Sequence, residues 1–436
     1  MYSYYQAGLA KITMSKKVDK ENIPRLLVLC QLFYPELVST GQTLTELCEE
    51  LVQLGINVEV ICGPQTILNS DKKIPKCMEH KGIHIRRVWG TRFPKLNLFG
   101  RVINQVTFAV SVFFYLLFHR PRKPILVLTN PPFLAVSCAI LRVLKLGAPY
   151  IYLVFDVYPD TAVQLGVLKE NGFLSRCWER FNALVFRQAS AIVVIGRCMQ
   201  DVIKQKAKKF GLKLDDKLHH ISVWSDDKLI SSASNRENPL RKEWNLEGKF
   251  VVGYFGNMGR FHDVETIIEA AEIMKDEDNM CFLFVGEGHK KQATMEYATR
   301  HNLQNCQFHT YVAREDLGHL MHLADVGIVS LLEGQEGLSV PSKAFGLMAA
   351  GVPIIAVMSA KSEVARIVKE ESCGTLVKPG EKKVVKDNIL QLYNDRIQLE
   401  QMSTNALRAI NEKYNLSKVS RRYFDLIGQI SCVDKV

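Results

Sequence analysis

The sequence predicts an α/β protein made of two Rossmann-like halves with parallel sheets, and three observations carry the prediction. Apolar runs of strand length alternate with helically spaced apolar segments, the pattern of βαβ units rather than of hairpins. The alternation starts again after a polar stretch at 226–239. The chain, at 436 residues, is also longer than one hydrophobic core sustains, so two domains of about 200 residues each are the default. An apolar share of 47% with 23% charged residues fits folded cores rather than disorder.

Residues 1–24 lack the apolar core of a secretory signal and read as a disordered tail, with Met14 an alternative start. Arg25 to Phe33 is the first strand, broken by Tyr34-Pro35. Leu44 to Leu54 has helical spacing, Gly55 closes it, and Asn57 to Cys62 is the next strand. Gly41 stands alone in the intervening turn. The G-x-G-x-x-G fingerprint is therefore absent, which weighs against an NAD-dependent oxidoreductase, yet one glycine still lets a ligand approach the backbone. Ile83 to Val88 is another strand.

Leu96 to Phe118 is strongly apolar, but its uninterrupted part, from about Val106, is shorter than the ~20 residues of a membrane span. Arg101 precedes it, and His119, Arg120, Arg122 and Lys123 follow it. An apolar helix near 104–118 with basic flanks suits the interface of an anionic membrane, or an acyl or polyprenyl chain; a buried core helix is the alternative. Pro124 to Thr129 and Pro149 to Phe155 are strands. The latter ends in DVYPD, where Asp156 and Asp160 sit beyond a strand's C-terminal end, the usual place for a site. They are candidates for holding an acceptor hydroxyl or assisting proton transfer, although Asp160 also reads as a helix N-cap. Ala191 to Ile195 and His219 to Val223 complete this half, set at 25–232.

The second half, 240–415, opens with the strand Phe250 to Phe255 and the glycine-rich turn Gly256 to Arg260. Backbone amides there, with Arg260, suit phosphate oxygens. Cys281 to Val285 is a strand ending in Gly286-Glu287-Gly288. Gln307 to Tyr311 is a short strand whose end suits a nucleobase, and Asp325 to Leu331 and Gly374 to Val377 are further strands. A C-terminal helix occupies 416–436 and can pack back on the first half.

The most informative stretch is Glu333 to Ala356: a polar loop, a short helix over Ala344–Ala350 and a buried strand. Ser342 falls near the N-cap and Lys343 in the first turn. A helix starting in such a loop offers unpaired amides and a positive dipole end to phosphate. Ser342 adds a hydroxyl and Lys343 a full charge. Glu333 and Glu336 lie upstream, where carboxylates bind sugar hydroxyls. Acids for hydroxyls beside a seat for pyrophosphate suit a sugar nucleotide; the plain alternative is one more helix of an α/β sheet.

A net charge of +11 suits an anionic partner, but the basic residues are dispersed and no nucleic-acid module appears, so nucleic acid is not expected. The 11 cysteines are odd in number and show no C-x-x-C or His/Cys cluster of zinc spacing, so free thiols and no metal site are expected.

Two Rossmann-like halves, DVYPD (Asp156–Asp160), NPLRKEW (Asn238–Trp244), GNMGR (Gly256–Arg260) and PSKAFGLMAAGVP (Pro341–Pro353), in that order, resemble the GT-B glycosyltransferases of family 4. The likeness covers about residues 25–430. It is closest to a bacterial branch that builds surface polysaccharides, including the acetylfucosamine and colanic acid transferases. The resemblance implies two domains facing a central cleft and transfer with retention from a nucleoside-diphosphate sugar, UDP before GDP, with no obligatory cofactor or metal. It implies a lipid-linked or polysaccharide acceptor, as in lipopolysaccharide or capsule, and a peripheral place on the cytoplasmic face of the plasma membrane. Arg260, Ser342 and Lys343 would hold the diphosphate, Glu336 would face the donor sugar, and Asp156 would meet the acceptor. Gly41, Gly256, Asn257, Gly259, Gly286, Leu338, Ser339 and Val340 are counted with the donor-binding residues. The chain also departs from the family. The second glutamate of the usual pair is missing, since Ala344 or Gly346 stands at its place, and the family's Arg and Lys of the glycine turn fall on Asn257 and His262. A sugar-nucleotide 2-epimerase of the same architecture and a non-catalytic nucleotide-binding subunit are the alternatives.

Overall fold

A computed structural model describes residues 24–36, 40–64, 74–93, 98–225, 227–231 and 238–433. The expected tail up to residue 23 lies outside them, as do residues 226 and 232–237 of the polar stretch between the halves. The first domain runs β1 (Arg25–Cys30), α1 (Thr40–Gln53), β2 (Asn57–Cys62), β3 (Cys77–His80), β4 (Ile83–Arg87), α2 (Leu98–His119), β5 (Ile125–Leu128), α3 (Leu134–Val143), β6 (Tyr150–Val154), α4 (Asp160–Gln164), α5 (Phe173–Gln188), β7 (Ala191–Val194), α6 (Arg197–Lys208) and β8 (Leu218–His220). Its sheet has the order β3-β4-β2-β1-β5-β6-β7-β8, parallel except for the edge pair β3–β4. β5, β6 and β7 are buried at every position because helices cover both faces of the sheet, which is why they read as unbroken apolar runs.

The chain continues through the short helices α7 (Asp227–Ser231) and α8 (Pro239–Glu243). The second domain then runs β9 (Phe250–Phe255), α9 (Glu265–Ile273), β10 (Met280–Val285), α10 (Lys291–Arg300), β11 (Cys306–His309), α11 (Leu317–Met321), β12 (Val326–Ser330), α12 (Lys343–Ala349), β13 (Ile354–Val357), α13 (Glu363–Glu371), β14 (Gly374–Val377), α14 (Lys382–Asn394) and α15 (Arg396–Ala409). Its sheet, β11-β10-β9-β12-β13-β14, is parallel throughout. The order reverses between β9 and β12, as it does between β1 and β5 in the first domain. A last helix, α16 (Leu416–Val433), packs against α1, with Val419, Tyr423 and Ile427 buried.

NPLRKEW is a brace for the second domain. The Asn238 side chain accepts the Leu240 N–H and donates to the His319 carbonyl at 2.6 Å. Arg241 donates to the Leu323 carbonyl at 2.9 Å and stands 3.6 Å from Asp325. Trp244 stacks on His309 with ring centroids 3.8 Å apart.

The apolar helix is longer than the 104–118 expected. α2 spans 22 residues, and its stretch Val102–His119 is long and apolar enough to cross a membrane by length and composition. Asn104 and Thr107, polar residues that look like a boundary, do not end it, because the loop before the helix satisfies them. Asn104 accepts from the Phe93 N–H at 2.9 Å and donates to the Phe93 carbonyl at 3.0 Å, and Thr107 accepts from the Thr91 N–H. One face, with Phe108, Val112 and Leu116, is packed into the first core. Val102, Val106, Val110, Phe114 and Phe118, spaced every four residues, stay exposed.

Candidate functional site

Open α/β sheets hold ligands beyond the C-terminal strand ends where the strand order reverses. In the second domain the turn Gly256–Arg260 leaves β9 at that point, beside Gly286 after β10. Gly286 (φ +145°) lies directly against Gly256: a Cβ there would stand 2.1 Å from the Gly256 carbonyl oxygen, so no side chain fits. The turn's amides are largely committed within the protein, which corrects the expectation that they grip phosphate. Gly256 donates to the Val285 carbonyl, Met258 to the Glu287 carbonyl, both at 2.8 Å, and Gly259 to Nδ1 of His262 at 3.1 Å.

The unengaged charge at this turn is on side chains. Arg260 is exposed, and its side chain makes no hydrogen bond or ion pair among the described residues. The Lys343 ammonium lies 3.7 Å from the centroid of the Tyr254 ring and 3.4 Å from the Asn257 carbonyl. Burial away from water pushes its pKa down to about 7. His262 is largely buried; burial first, then the Lys343 and Lys290 charges, push its pKa down to about 3. It stays neutral and holds the turn by accepting the Gly259 N–H.

The loop between β12 and α12 is clamped against the first domain. Val157 N–H donates to the Leu338 carbonyl at 3.0 Å, and the Gln335 amide donates to Gln164 at 3.2 Å. Gly337 (φ +77°) abuts α6, where a Cβ would come within 2.6 Å of the Cys198 carbonyl oxygen. Leu338 and Val340 are buried and Glu336 is half-buried. On the facing side, Asp156 follows β6, with its N–H directed to the Thr129 hydroxyl at 3.4 Å. Burial alone pushes its carboxyl up to about 6, within the working range of a general base near neutral pH. Arg260 and Lys343 thus stand at the strand ends of the second domain, and Asp156 stands at those of the first, beside the contact of Val157 with Leu338.

The model for "Glycosyl transferases group 1" matches residues 236–409, and that for "Glycosyl transferase 4-like domain" matches residues 40–207. The chain is 34% identical over 292 residues to the probable glycosyltransferase WbjE of Pseudomonas aeruginosa, covering 65% of this chain and 70% of WbjE. The chain belongs to the group 1, family 4-like glycosyltransferases. It is also 25% identical to the putative colanic acid biosynthesis glycosyl transferase WcaI of Escherichia coli K12, over 77% of this chain and 83% of WcaI. Among solved structures, Anabaena HepE in complex with UDP superposes with a TM-score of 0.68 at 14% identity, over 93% of this chain and all of HepE. The fold is GT-B.

This glycosyltransferase brings Gly256, Asn257, Gly259, Arg260, Gly286 and Lys343 together around one crevice. The loop carrying Glu336, Leu338, Ser339 and Val340 lies next to it. Three expectations need correction. Gly41 is buried, and a Cβ there would lie 2.8 Å from the Glu36 carbonyl oxygen, so close packing rather than a ligand accounts for the glycine. Ser342 stands at the head of α12 but makes no capping hydrogen bond, because its own backbone is already helical (φ −63°, ψ −21°). The helix is only seven residues long, so its dipole adds little to Lys343. Asp160 is neither cap nor free base: it opens α4 and pairs with the buried Lys206. At Gly346, one of the two places for the missing glutamate, a Cβ would stand 3.5 Å from Met321 and 3.9 Å from Ile230. A carboxylate there would start among apolar atoms. Tyr254, the platform under Lys343, was missed, although strand alternation places it two residues before Gly256, on the same face.

Proposed function

We propose that this glycosyltransferase moves a sugar, with retention, from a nucleoside-diphosphate sugar, UDP before GDP, to a lipid-linked or polysaccharide acceptor of a bacterial surface glycan. The observation that carries the reading is the pair Arg260 and Lys343 beside Gly256 and Gly286 at the reversal of the second sheet, with Asp156 at the strand ends of the first. In the reaction the bond between the sugar C1 and the β-phosphate oxygen breaks, and its electrons leave on the diphosphate. An oxocarbenium-like centre forms between the two domains. Arg260 and Lys343 stabilise the leaving charge, Glu336 faces the donor sugar, and Asp156 holds the acceptor hydroxyl, whose oxygen bonds to C1 on the face the diphosphate leaves while its proton passes to the departing phosphate oxygen. The two cations supply the charge stabilisation a divalent ion gives elsewhere, so turnover is expected to persist in chelator. The UDP bound by HepE and the likeness to WcaI, a putative colanic acid biosynthesis glycosyl transferase, support the donor and acceptor classes.

The exposed stripe of α2, with exposed Arg120 and Arg122 at its end, supports peripheral attachment to the anionic cytoplasmic face of the plasma membrane. Thermal unfolding with UDP, GDP, ADP and NAD tests the donor class. A ligand at ~100 times its dissociation constant adds about 2.7 kcal/mol of stability. Selective stabilisation by one nucleoside diphosphate, followed by an NMR reading of the product's anomeric configuration, is the expected result. Stabilisation by none, or an inverted anomer, would overturn the reading.

A further inference from the structure

We infer that Trp178 and Asn182 of α5 are positioning residues for the transfer: they hold the turn Asp156–Pro159, which carries Asp156 and docks the loop bearing Glu336. The inference rests on the parts given to Asp156 and Glu336 in the function proposed above. Trp178 and Asn182 stand four residues apart on α5 and so share a face. Both meet Tyr158. The Trp178 ring stacks on the Tyr158 ring, with centroids 5.5 Å apart and planes 10° from parallel, and also meets Phe133, before α3, at 4.6 Å. The Asn182 amide donates to the Tyr158 carbonyl at 2.7 Å. Asn182 is 7% exposed, on a face of α5 that also buries Val185 and Phe186. An apolar residue would pack there without the cost of desolvating an amide, so the amide is explained by the carbonyl it holds.

The backbone on either side of Tyr158 is fixed as well. The Val157 carbonyl accepts the Thr161 N–H at 2.9 Å and the Thr161 hydroxyl at 2.8 Å, while the Val157 N–H crosses to the Leu338 carbonyl at 3.0 Å. The Phe155 N–H reaches the Thr129 hydroxyl at 3.2 Å and the Asp156 N–H reaches it at 3.4 Å. The Asp156 carboxyl, by contrast, makes no hydrogen bond or ion pair among the described residues. Its position is therefore set by the backbone beneath it, held by Thr129 on one side and by Tyr158 on the other. Reacting groups must be held to within about 0.5 Å, which is the task of packed and hydrogen-bonded neighbours behind them. Leu338 stands two residues after Glu336, so the turn that α5 holds governs the carboxylate of one domain and the loop of the other.

The test uses the full chain and needs neither donor nor acceptor. The Asp156 carboxyl is titrated by NMR in protein labelled with carbon-13 at its aspartate carboxyls, its signal assigned by its loss in Asp156→Asn. Hydrogen exchange is followed in parallel by mass spectrometry. Asn182→Leu removes the donor and keeps a side chain to pack; Trp178→Ala removes the stack. In each, the Asp156 midpoint should fall from about 6 by about one unit or more toward the ordinary carboxylate value, because a loosened turn admits water. Amides of residues 157–161 and 335–338 should exchange about 10-fold faster, the effect of one lost hydrogen bond on local opening, while β6 and β7 keep their rates. Trp178→Phe retains a stacking ring and should restore most of both readouts. An unmoved Asp156 titration, or faster exchange confined to α5, would overturn the inference. So would faster exchange in β6 and β7 as well, the mark of packing alone, or equal effects of Trp178→Phe and Trp178→Ala. Neither readout involves substrate, so a wrong donor or acceptor class leaves the result unchanged. Failure here likewise leaves the reading of Arg260 and Lys343 in place, which stabilisation by a nucleoside diphosphate tests on its own.

Discussion

Lys343 concentrates the chemistry of the donor site in one titration. Its pKa is lowered to about 7 because the ammonium has exchanged water for the Tyr254 ring and one carbonyl. A bound diphosphate restores the missing counter-charge and raises that pKa, so binding should take up a proton at pH values between the free and the bound pKa. The sign follows: affinity is constant below about pH 7 and declines as the pH rises above it, by up to about tenfold per unit. Calorimetry in buffers of different ionisation heat should detect about half a proton taken up at pH 7, and Lys343→Ala should abolish the uptake. The same variant should lower kcat on the order of 100-fold, the cost of losing a charge aimed at the leaving group. Near-normal turnover in the folded variant would remove Lys343 from that role. Arg260, Lys343 and Asp156 could be singled out as candidates from the sequence because each sits inside a short motif at a strand or helix end, where local pattern and position coincide. The roles of His262 and Asp160 were not legible for the opposite reason. Their surroundings, the Gly259 amide in one case and Lys206 in the other, are set by packing rather than by neighbours in sequence.

At the scale of elements, the buried strands were the readable part. β2, β9 and β14 fall on their expected limits, since runs such as NVEVIC and FVVGYF admit few other readings. The helices facing solvent were harder. α5 carries exposed Phe173, Leu174 and Phe181 beside buried Val185 and Phe186, so its apolar residues do not fall on one clean face. β3 escaped because an exposed antiparallel edge strand, CMEH, has almost no apolar signal. α2 was recognised but cut short at the polar residues that its preceding loop satisfies. Its two faces make a specific prediction. Phe113 is half-buried against the core, whereas Phe114 and Phe118 are 49% and 77% exposed, so a polar change at the last two should leave the fold intact. Phe114→Ser/Phe118→Ser should keep the melting temperature within a few degrees and weaken sedimentation with phosphatidylglycerol vesicles by about tenfold or more, since burying each ring contributes about 1.5–3 kcal/mol. Unchanged vesicle binding would assign the stripe to some other contact.

The whole molecule depends on how two sheets are held together, and one of the cross-domain contacts, at the start of α6, is more deeply buried than the pair of Arg314 with Glu46 at 2.8 Å. Glu363, 1% exposed at the head of α13 in the second domain, accepts the Arg197 N–H at 2.6 Å and its Nε–H at 2.9 Å; the guanidinium also reaches Glu370 at 2.8 Å. The carboxylate therefore sits at the positive ends of α6 and α13 at once. No sequence signal joins residues 166 positions apart, which is why two Rossmann halves were readable and their clasp was not. A second cross-domain pair, Arg366 with Asp201 at 3.6 Å, lies nearby but in solvent, where such pairs contribute little. The contrast fixes the prediction. Arg197→Ala leaves a buried carboxylate with only backbone and distant partners. It should destabilise the protein by about 2 kcal/mol, less than the 3–5 kcal/mol of a fully buried pair because Arg197 itself is partly exposed. The unaltered protein should unfold in one calorimetric transition, and Arg197→Ala should split it into two as the domains lose their coupling. Arg366→Ala should cost less than about 1 kcal/mol and leave one transition. Should the two variants behave alike, burial of Glu363 is not what couples the domains, and the clasp would have to be sought instead in the Val157–Leu338 contact of the donor loop, where backbone groups rather than charges bridge the cleft.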